Sequence, residues 1–343
     1  MIRLDSLGLL LGRLGRDWRG WLFGFSLLFS GFGLLWALVM RRTLEQVAPF
    51  FRLMASQSGL GSKDIESVVF EGPGKVLRTL IGGERVNLEN AMDVLSVALV
   101  HPLMVGLAGL WALGRGTALL GELDRGTLEL LLSQPVSRRM VAFAHTLFDA
   151  ICWPLLGLAF TCGMAAGVWW IDPIVEKPLS SEVQSKMQGA RPWWLRLDSL
   201  LKTQTTQEGA NKRLELRPLD FLKAAPVVAG LGFALSGLSF GVAAFGRSRF
   251  QMLGLLATCF FMMYLANLLA QLYEPMGWVR PLTVFYYYHP QEVALGLGGL
   301  VSFNEWGLQG VRLPGLAVLV GLGVVGYGCG TWQMVRRDLP VPL

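Results

Sequence analysis

The sequence predicts an all-α integral membrane protein with six transmembrane helices and both termini on the cytoplasmic side. An interfacial helical segment separates helices two and three, and a re-entrant outer hairpin precedes helix six. Three observations carry this. The chain of 343 residues is 53% hydrophobic and only 16% charged. Its apolar residues gather into six runs of the length, about 20 residues, that spans a hydrocarbon core of roughly 30 Å. Arginine is dense in the short turns expected on one side, which sets orientation.

The runs are Trp21 to Met40, Val94 to Leu113, about Val141 to Ile171, Leu222 to Phe245, Met252 to Gln271, and Leu316 to Met334. Backbone groups left open in lipid are costly, and the runs lack the alternation of barrel strands, so they read as helices. The 42 glycines suit close helix packing in a membrane. Cys152, Cys162, Cys259 and Cys329 all fall inside runs, so they read as apolar packing residues rather than a disulfide framework or metal set. The net charge of +6 is scattered rather than gathered on one stripe, which argues against nucleic acid as a partner.

From the start, residues 1–20 alternate leucines with Arg3, Asp5, Arg13, Arg16 and Asp17, the pattern of a cytoplasmic interfacial helix. The first run follows an arginine-bearing stretch and ends at Arg41 and Arg42 without a small-residue cleavage site, so it is expected to be a retained span. Residues 41–92 and 172–220 are expected as large extracytoplasmic loops. Leu44, Val47, Phe50, Phe51 and Met54 suggest that the first helix continues or lies on the surface, and Gly72, Pro73 and Gly74 mark a turn. Trp193 and Trp194 beside Arg191 and Arg196 suit an interfacial anchor. The polar stretch 203–213 reads as an exposed loop. The GRSR turn, Gly246 to Arg249, and the closing Arg336 and Arg337 share the cytoplasmic side with the opening stretch. The stretch Arg280 to Leu300 is long enough to tempt a seventh span. That would bury His289, Pro290 and Glu292 in lipid and put the closing arginines outside, so an outer hairpin is the better reading.

The segment 114–140 is half apolar and carries both charge signs. Thr117 to Asp124 sets Leu119, Leu120 and Leu123 opposite Glu122 and Asp124. Gly126 interrupts. Thr127 is expected to cap a second short helix, with Glu129 in its first turn and Leu128, Leu131 and Leu132 as its apolar stripe. Pro135 ends that helix at Gln134, and Ser137 caps the next.

No nucleotide-binding G-x-x-x-x-G-K-[ST] occurs; GPGKV, Gly72 to Val76, lacks its first glycine and its hydroxyl residue. Nor is there G-x-S-x-G, H-E-x-x-H or a paired His/Cys/Asp/Glu cluster. No cofactor is therefore expected in this chain. His101, before Pro102, either lines a polar path or is a neutral ring bonded to the backbone carbonyl that the proline frees, the reading preferred here. His145 falls near an interface and receives no role. Asn267 and the cluster Tyr286 to His289 are the other polar pathway candidates, Tyr287 and His289 flanking an outer exit or, preferably, belonging to an aromatic belt.

The string ELDRGTLELLLSQPVSR, Glu122 to Arg138, resembles the cytoplasmic signature of ABC-2 type permeases, the membrane subunits of a class of ATP-binding-cassette transporters. The six-span layout, the outer hairpin and the closing R-R-D extend that resemblance over most of the chain, read as a single domain, 1–343. It implies coupling to a separate ATPase subunit through Glu122, Gly126, Thr127, Leu128, Glu129, Ser133, Pro135, Ser137 and Arg138. It also implies ATP and Mg in that partner, a second permease subunit, identical or not, and residence in the cytoplasmic (inner) membrane among its lipids. Export of an amphipathic or lipid-like cargo is the expected activity. An interfacial linker would explain the leucines and arginines equally well, but not Glu122 and Glu129 beside an anionic membrane face. The alternatives are a membrane scaffold that recruits an ATPase, and a membrane-embedded lipid-modifying enzyme, for which no nucleophile or acid–base pair stands out.

Overall fold

The computed structural model describes residues 4–58, 75–76, 79, 90–175 and 214–336. Six helices in it are long and apolar enough to cross a membrane. The Gly72 to Gly74 turn, the Trp193–Trp194 anchor, the stretch 203–213 and the end of the closing R-R-D lie outside the described residues.

Helix α1 runs unbroken over Leu4–Ser58. At 1.5 Å per residue it is about 80 Å long, far more than a bilayer core. Residues 4–20, within the stretch expected as an interfacial helix, are helical and continuous with the first span.

The second run is broken. Helix α2, Ala91–Ser96, passes through a 3-10 turn, Val97–Leu99, and helix α3 restarts over Pro102–Gly116. Proline disfavours helical geometry in the residue before it, and His101 is extended, with φ −61° and ψ 138°. Two short helices follow, α4 over Ala118–Asp124 and α5 over Thr127–Leu132. Helix α6, Arg138–Ile171, is capped by Ser137, whose hydroxyl accepts from the Met140 N–H at 3.2 Å. A 3-10 turn, Pro218–Ala224, leads into α7, Ala225–Ala243, and α8 spans Arg249–Leu272.

The segment between α8 and the last helix is not a continuous helix. It is built from 3-10 turns at Glu274–Leu282 and Val284–Tyr287, a short helix α9 at Pro290–Ala294, and an antiparallel hairpin of β1, Leu300–Phe303, and β2, Leu308–Pro314. Leu300 pairs with Pro314 and Ser302 with Arg312 before a bulge. Helix α10, Gly315–Arg336, closes the bundle.

Helix α7 lies at the centre, packed on α3, α6 and α10. It approaches α10 so closely that a Cβ on Gly237 would stand 2.4 Å from the Gly323 carbonyl oxygen. Small residues bring backbones together where lipid offers no hydrophobic drive to association. Helix α6 meets α1 in the same way, a Cβ on Gly163 being 2.2 Å from the Ser30 carbonyl oxygen. Helices α1 and α8 lie at the margin and leave Trp21, Phe23, Leu27, Phe250 and Phe261 exposed.

Candidate functional site

The α4–α5 pair sits at one end of the bundle. Leu119 and Leu128 pack with Val141, Phe240 and Met334, so the pair rests on the ends of α6, α7 and α10. Asp124 accepts from the Arg249 N–H at 2.8 Å, which ties the pair to the start of α8. Glu122 lies 3.5 Å from the Arg13 guanidinium, which ties it to α1. Arg13, Met334 and the GRSR turn thus share this end.

Gly126 adopts φ +70°, a left-handed conformation that a side chain would strain, and it is the residue before α5. The expected cap is corrected accordingly. Thr127 is the first helical residue, and its hydroxyl donates to the Glu122 carbonyl at 3.1 Å, stapling the two short helices together. Glu129 is in the first turn, half-buried, and Ser133 ends the helix with its hydroxyl on the Leu130 carbonyl at 2.8 Å. Leu128 is buried as expected, whereas Leu130 is 72% exposed. Ser133, Gln134, Pro135 and Ser137 are also exposed, and Arg138 is half-buried.

Glu122 departs from the outward position that a docking carboxylate would take. It is 8% exposed, because α1 runs past α4 and covers it. Burial pushes its carboxyl above the usual range, while Arg13 and then Arg125 pull it down. His145 is buried, and with Arg13, Glu122 and Leu131 it lines a narrow cavity between α1, α4, α5 and α6.

Deeper in the bundle lies a buried ion pair that the sequence reading missed. Arg115 Nε donates to Asp149 Oδ1 at 2.6 Å, with both side chains at most 1% exposed. Tyr327 donates to the other carboxylate oxygen, also at 2.6 Å. The Arg115 guanidinium carbon lies 4.6 Å from the Trp18 ring centre and 4.7 Å from that of Phe148. Such cation–π contact is favourable once the cation is desolvated. Trp153, one turn beyond Asp149, donates to Ser236 Oγ at 2.9 Å. Five helices, α1, α3, α6, α7 and α10, meet in this cluster. The available signal was Asp149 itself, the lone carboxylate in the run from Val141 to Ile171, since intramembrane ionisable groups are functional suspects by default.

The pathway candidates divide. Asn267 and His289 line one cleft, with Tyr264, Tyr288, Gln291 and Glu292, at the end of the bundle away from the α4–α5 pair. Asn267 accepts from the Thr283 hydroxyl at 3.4 Å, and His289 Nε2 lies 2.8 Å from the Tyr286 carbonyl oxygen. Tyr287 turns away to donate to the Pro281 carbonyl at 2.6 Å. The belt reading of the tyrosines is corrected: Tyr286, Tyr287 and Tyr288 are each at most 8% exposed, folded into the core by their hydrogen bonds.

His101 stands apart, its ring centre 4.9 Å from that of Trp36. Its Nδ1 accepts from the Leu103 N–H at 3.2 Å, capping α3. The expected bond to a freed carbonyl is made by another group. The Leu99 carbonyl, which an unbroken helix would give to Leu103, accepts from the Tyr288 hydroxyl at 2.7 Å. The Leu103 N–H and the Leu99 carbonyl, which would pair in an unbroken helix, are thus each satisfied. His101→Ala is expected to cost about 0.5–2 kcal/mol, the value of a cap, and His101→Asn to recover most of it. Thermal unfolding of the detergent-purified chain would read both.

Among the described residues, no group of three or more His, Cys, Asp or Glu is placed to hold a metal ion. A scan against protein-family models and searches of curated proteins and of solved structures found no match to the chain.

Proposed function

We propose that this chain is the permease subunit of an ATP-binding-cassette transporter of the ABC-2 type, working with a second permease subunit and a separate ATPase that binds ATP and Mg. The observation that carries the reading is the Glu122 to Arg138 segment. It resembles that family's cytoplasmic signature, and it folds as two short helices at one end of the bundle with Leu130, Ser133, Pro135 and Ser137 turned outward.

Closure of the ATPase around nucleotide would press on α5. Helix α6, capped by Ser137 and without a proline before Pro154, would carry that displacement inward as far as Asp149. Asp149 on α6 is bonded to Arg115 on α3 and Tyr327 on α10, so the movement would reach both helices. A cargo must bind the two states unequally for transport to result. The amphipathic or lipid-like cargo and the direction of export are part of the proposal.

The test is isolation of the chain with its ATPase from native membranes, followed by reconstitution in vesicles. ATP-dependent movement of a co-purifying cargo is the expected result. ATPase binding without any cargo movement would favour the scaffold reading instead.

Orientation has its own test. Both termini, the α4–α5 pair and the GRSR turn are proposed to be cytoplasmic in the inner membrane, by the arginine density of short loops. In a variant freed of native cysteines, Glu215→Cys should react with an impermeant reagent outside and Gln134→Cys should be protected. The reverse pattern would invert the assignment.

A further inference from the structure

Between α6 and α10 runs an open lateral groove of about 490 Å³. Ordinary ligand clefts hold roughly 300–1,000 Å³. Its walls include Phe143, Val324 and Trp332, all substantially exposed, and at one end stand Arg139 and Arg336. Arg139 is the second residue of α6 and Arg336 the last described residue of α10, so the two cations cap antiparallel helices at the end that bears the α4–α5 pair. The Arg336 guanidinium carbon lies 4.3 Å from the Trp332 ring centre. Among the described residues, no carboxylate lines the groove.

The dimensions suit one occupant. From Arg336 to Val324 the helix rises about 18 Å, close to one leaflet of a hydrocarbon core of roughly 30 Å. The cations therefore sit at headgroup depth when the apolar walls sit at acyl depth. The backbone N–H groups at the start of α6 favour an anion beside Arg139 in the same place. Two cations without a carboxylate select against a headgroup that needs an anionic partner for its ammonium.

We propose that this groove binds an anionic phospholipid, its phosphate on Arg139 and Arg336 and one acyl chain along Phe143, Gly328 and Val324. The inference rests on the six-helix membrane architecture and not on the transport reading. Tyr327, whose hydroxyl holds Asp149, is part of the same wall, so the lipid lies against the buried ion pair.

Gly328 supplies a clean block. A Cβ there would meet nothing within 4 Å, so a larger side chain enters the groove without striking its own fold. The full chain, purified in detergent, would be titrated with dioleoyl phosphatidylglycerol or dioleoyl phosphatidylcholine, and retained lipids counted by native mass spectrometry. One phosphatidylglycerol should be retained in preference to phosphatidylcholine. Arg139→Gln with Arg336→Gln should weaken it about thirty-fold, from the usual contribution of two basic residues at a membrane surface. Gly328→Leu should displace it with both arginines intact and with unchanged melting in lipid-free detergent. Equal retention of the two lipids, or undiminished retention by both variants, would overturn the proposal. So would a Gly328→Leu chain that keeps its lipid but loses self-association, which would make the groove an interface between copies.

Discussion

Asp149→Asn is expected to be the most damaging single substitution in the described part of the chain. It leaves the Arg115 guanidinium charged and at most 1% exposed, with a neutral amide in place of its counter-ion. Removing one partner of a buried ion pair typically costs about 3–5 kcal/mol, because the other charge stays desolvated. Tyr327→Phe removes a hydrogen bond from the same carboxylate but leaves the pair whole. Interhelical side-chain hydrogen bonds in membranes are worth only about 0.6 kcal/mol on average and about 1.7 at most, so its effect should be several-fold smaller.

Replacing the whole network by apolar groups, Arg115→Met with Asp149→Leu and Tyr327→Phe, should recover most of the lost stability, since no charge then remains to be paired. Thermal unfolding in detergent would rank the three variants. An Asp149→Asn chain that melts with the parent would mean that the pair does not hold the bundle together. The apolar triple variant also separates stability from function. If the network carries motion from α6 to α3 and α10, the triple variant should fold and bind its ATPase yet lose ATP-driven transport.

The second large effect is expected at the outward face of α5. Leu130→Asp with Glu129→Lys changes an exposed leucine and a half-buried carboxylate, so the six-helix fold should survive. An apolar anchor at the centre of a docking surface is commonly worth about 2 kcal/mol or more, which lowers affinity roughly thirty-fold. Co-purification with the proposed ATPase partner should fail. Retained binding and normal transport would reduce the segment to a linker. Glu122→Lys is a poor probe of docking, because it would set a second cation beside Arg13 in a narrow cavity and disturb the fold itself. Pro135→Ala should keep binding and lose coupled transport, by letting α5 run on and changing the angle at which α6 receives the push.

The six spans and the broken helical pair were legible because their signals are local. A run of apolar residues long enough to cross a bilayer needs no knowledge of neighbours. Ser137 before Arg138, or Gly126 between two leucine stripes, marks a boundary through the backbone preferences of a few adjacent residues. Even there, the identity of the cap before α5 depended on which residue took the left-handed conformation, and Gly126 takes it more easily than Thr127.

What the sequence alone determined is thus the six helices long and apolar enough to span, the approximate ends of most helices and the place of the short helical pair in the chain. What only the tertiary structure decided is the fate of each polar group. An apolar stripe reads the same whether lipid or another helix covers it, so nothing in the chain order showed that α1 passes over Glu122 or that the three tyrosines turn inward. His101 was legible as a break but not as a cap, since the carbonyl at Leu99 found its partner in Tyr288, 189 residues away. Arg115 and Asp149 are 34 residues apart and Tyr327 lies 178 beyond Asp149. A charge can remain in a low-dielectric interior only beside its counter-charge, and that neighbour exists only after the helices have packed.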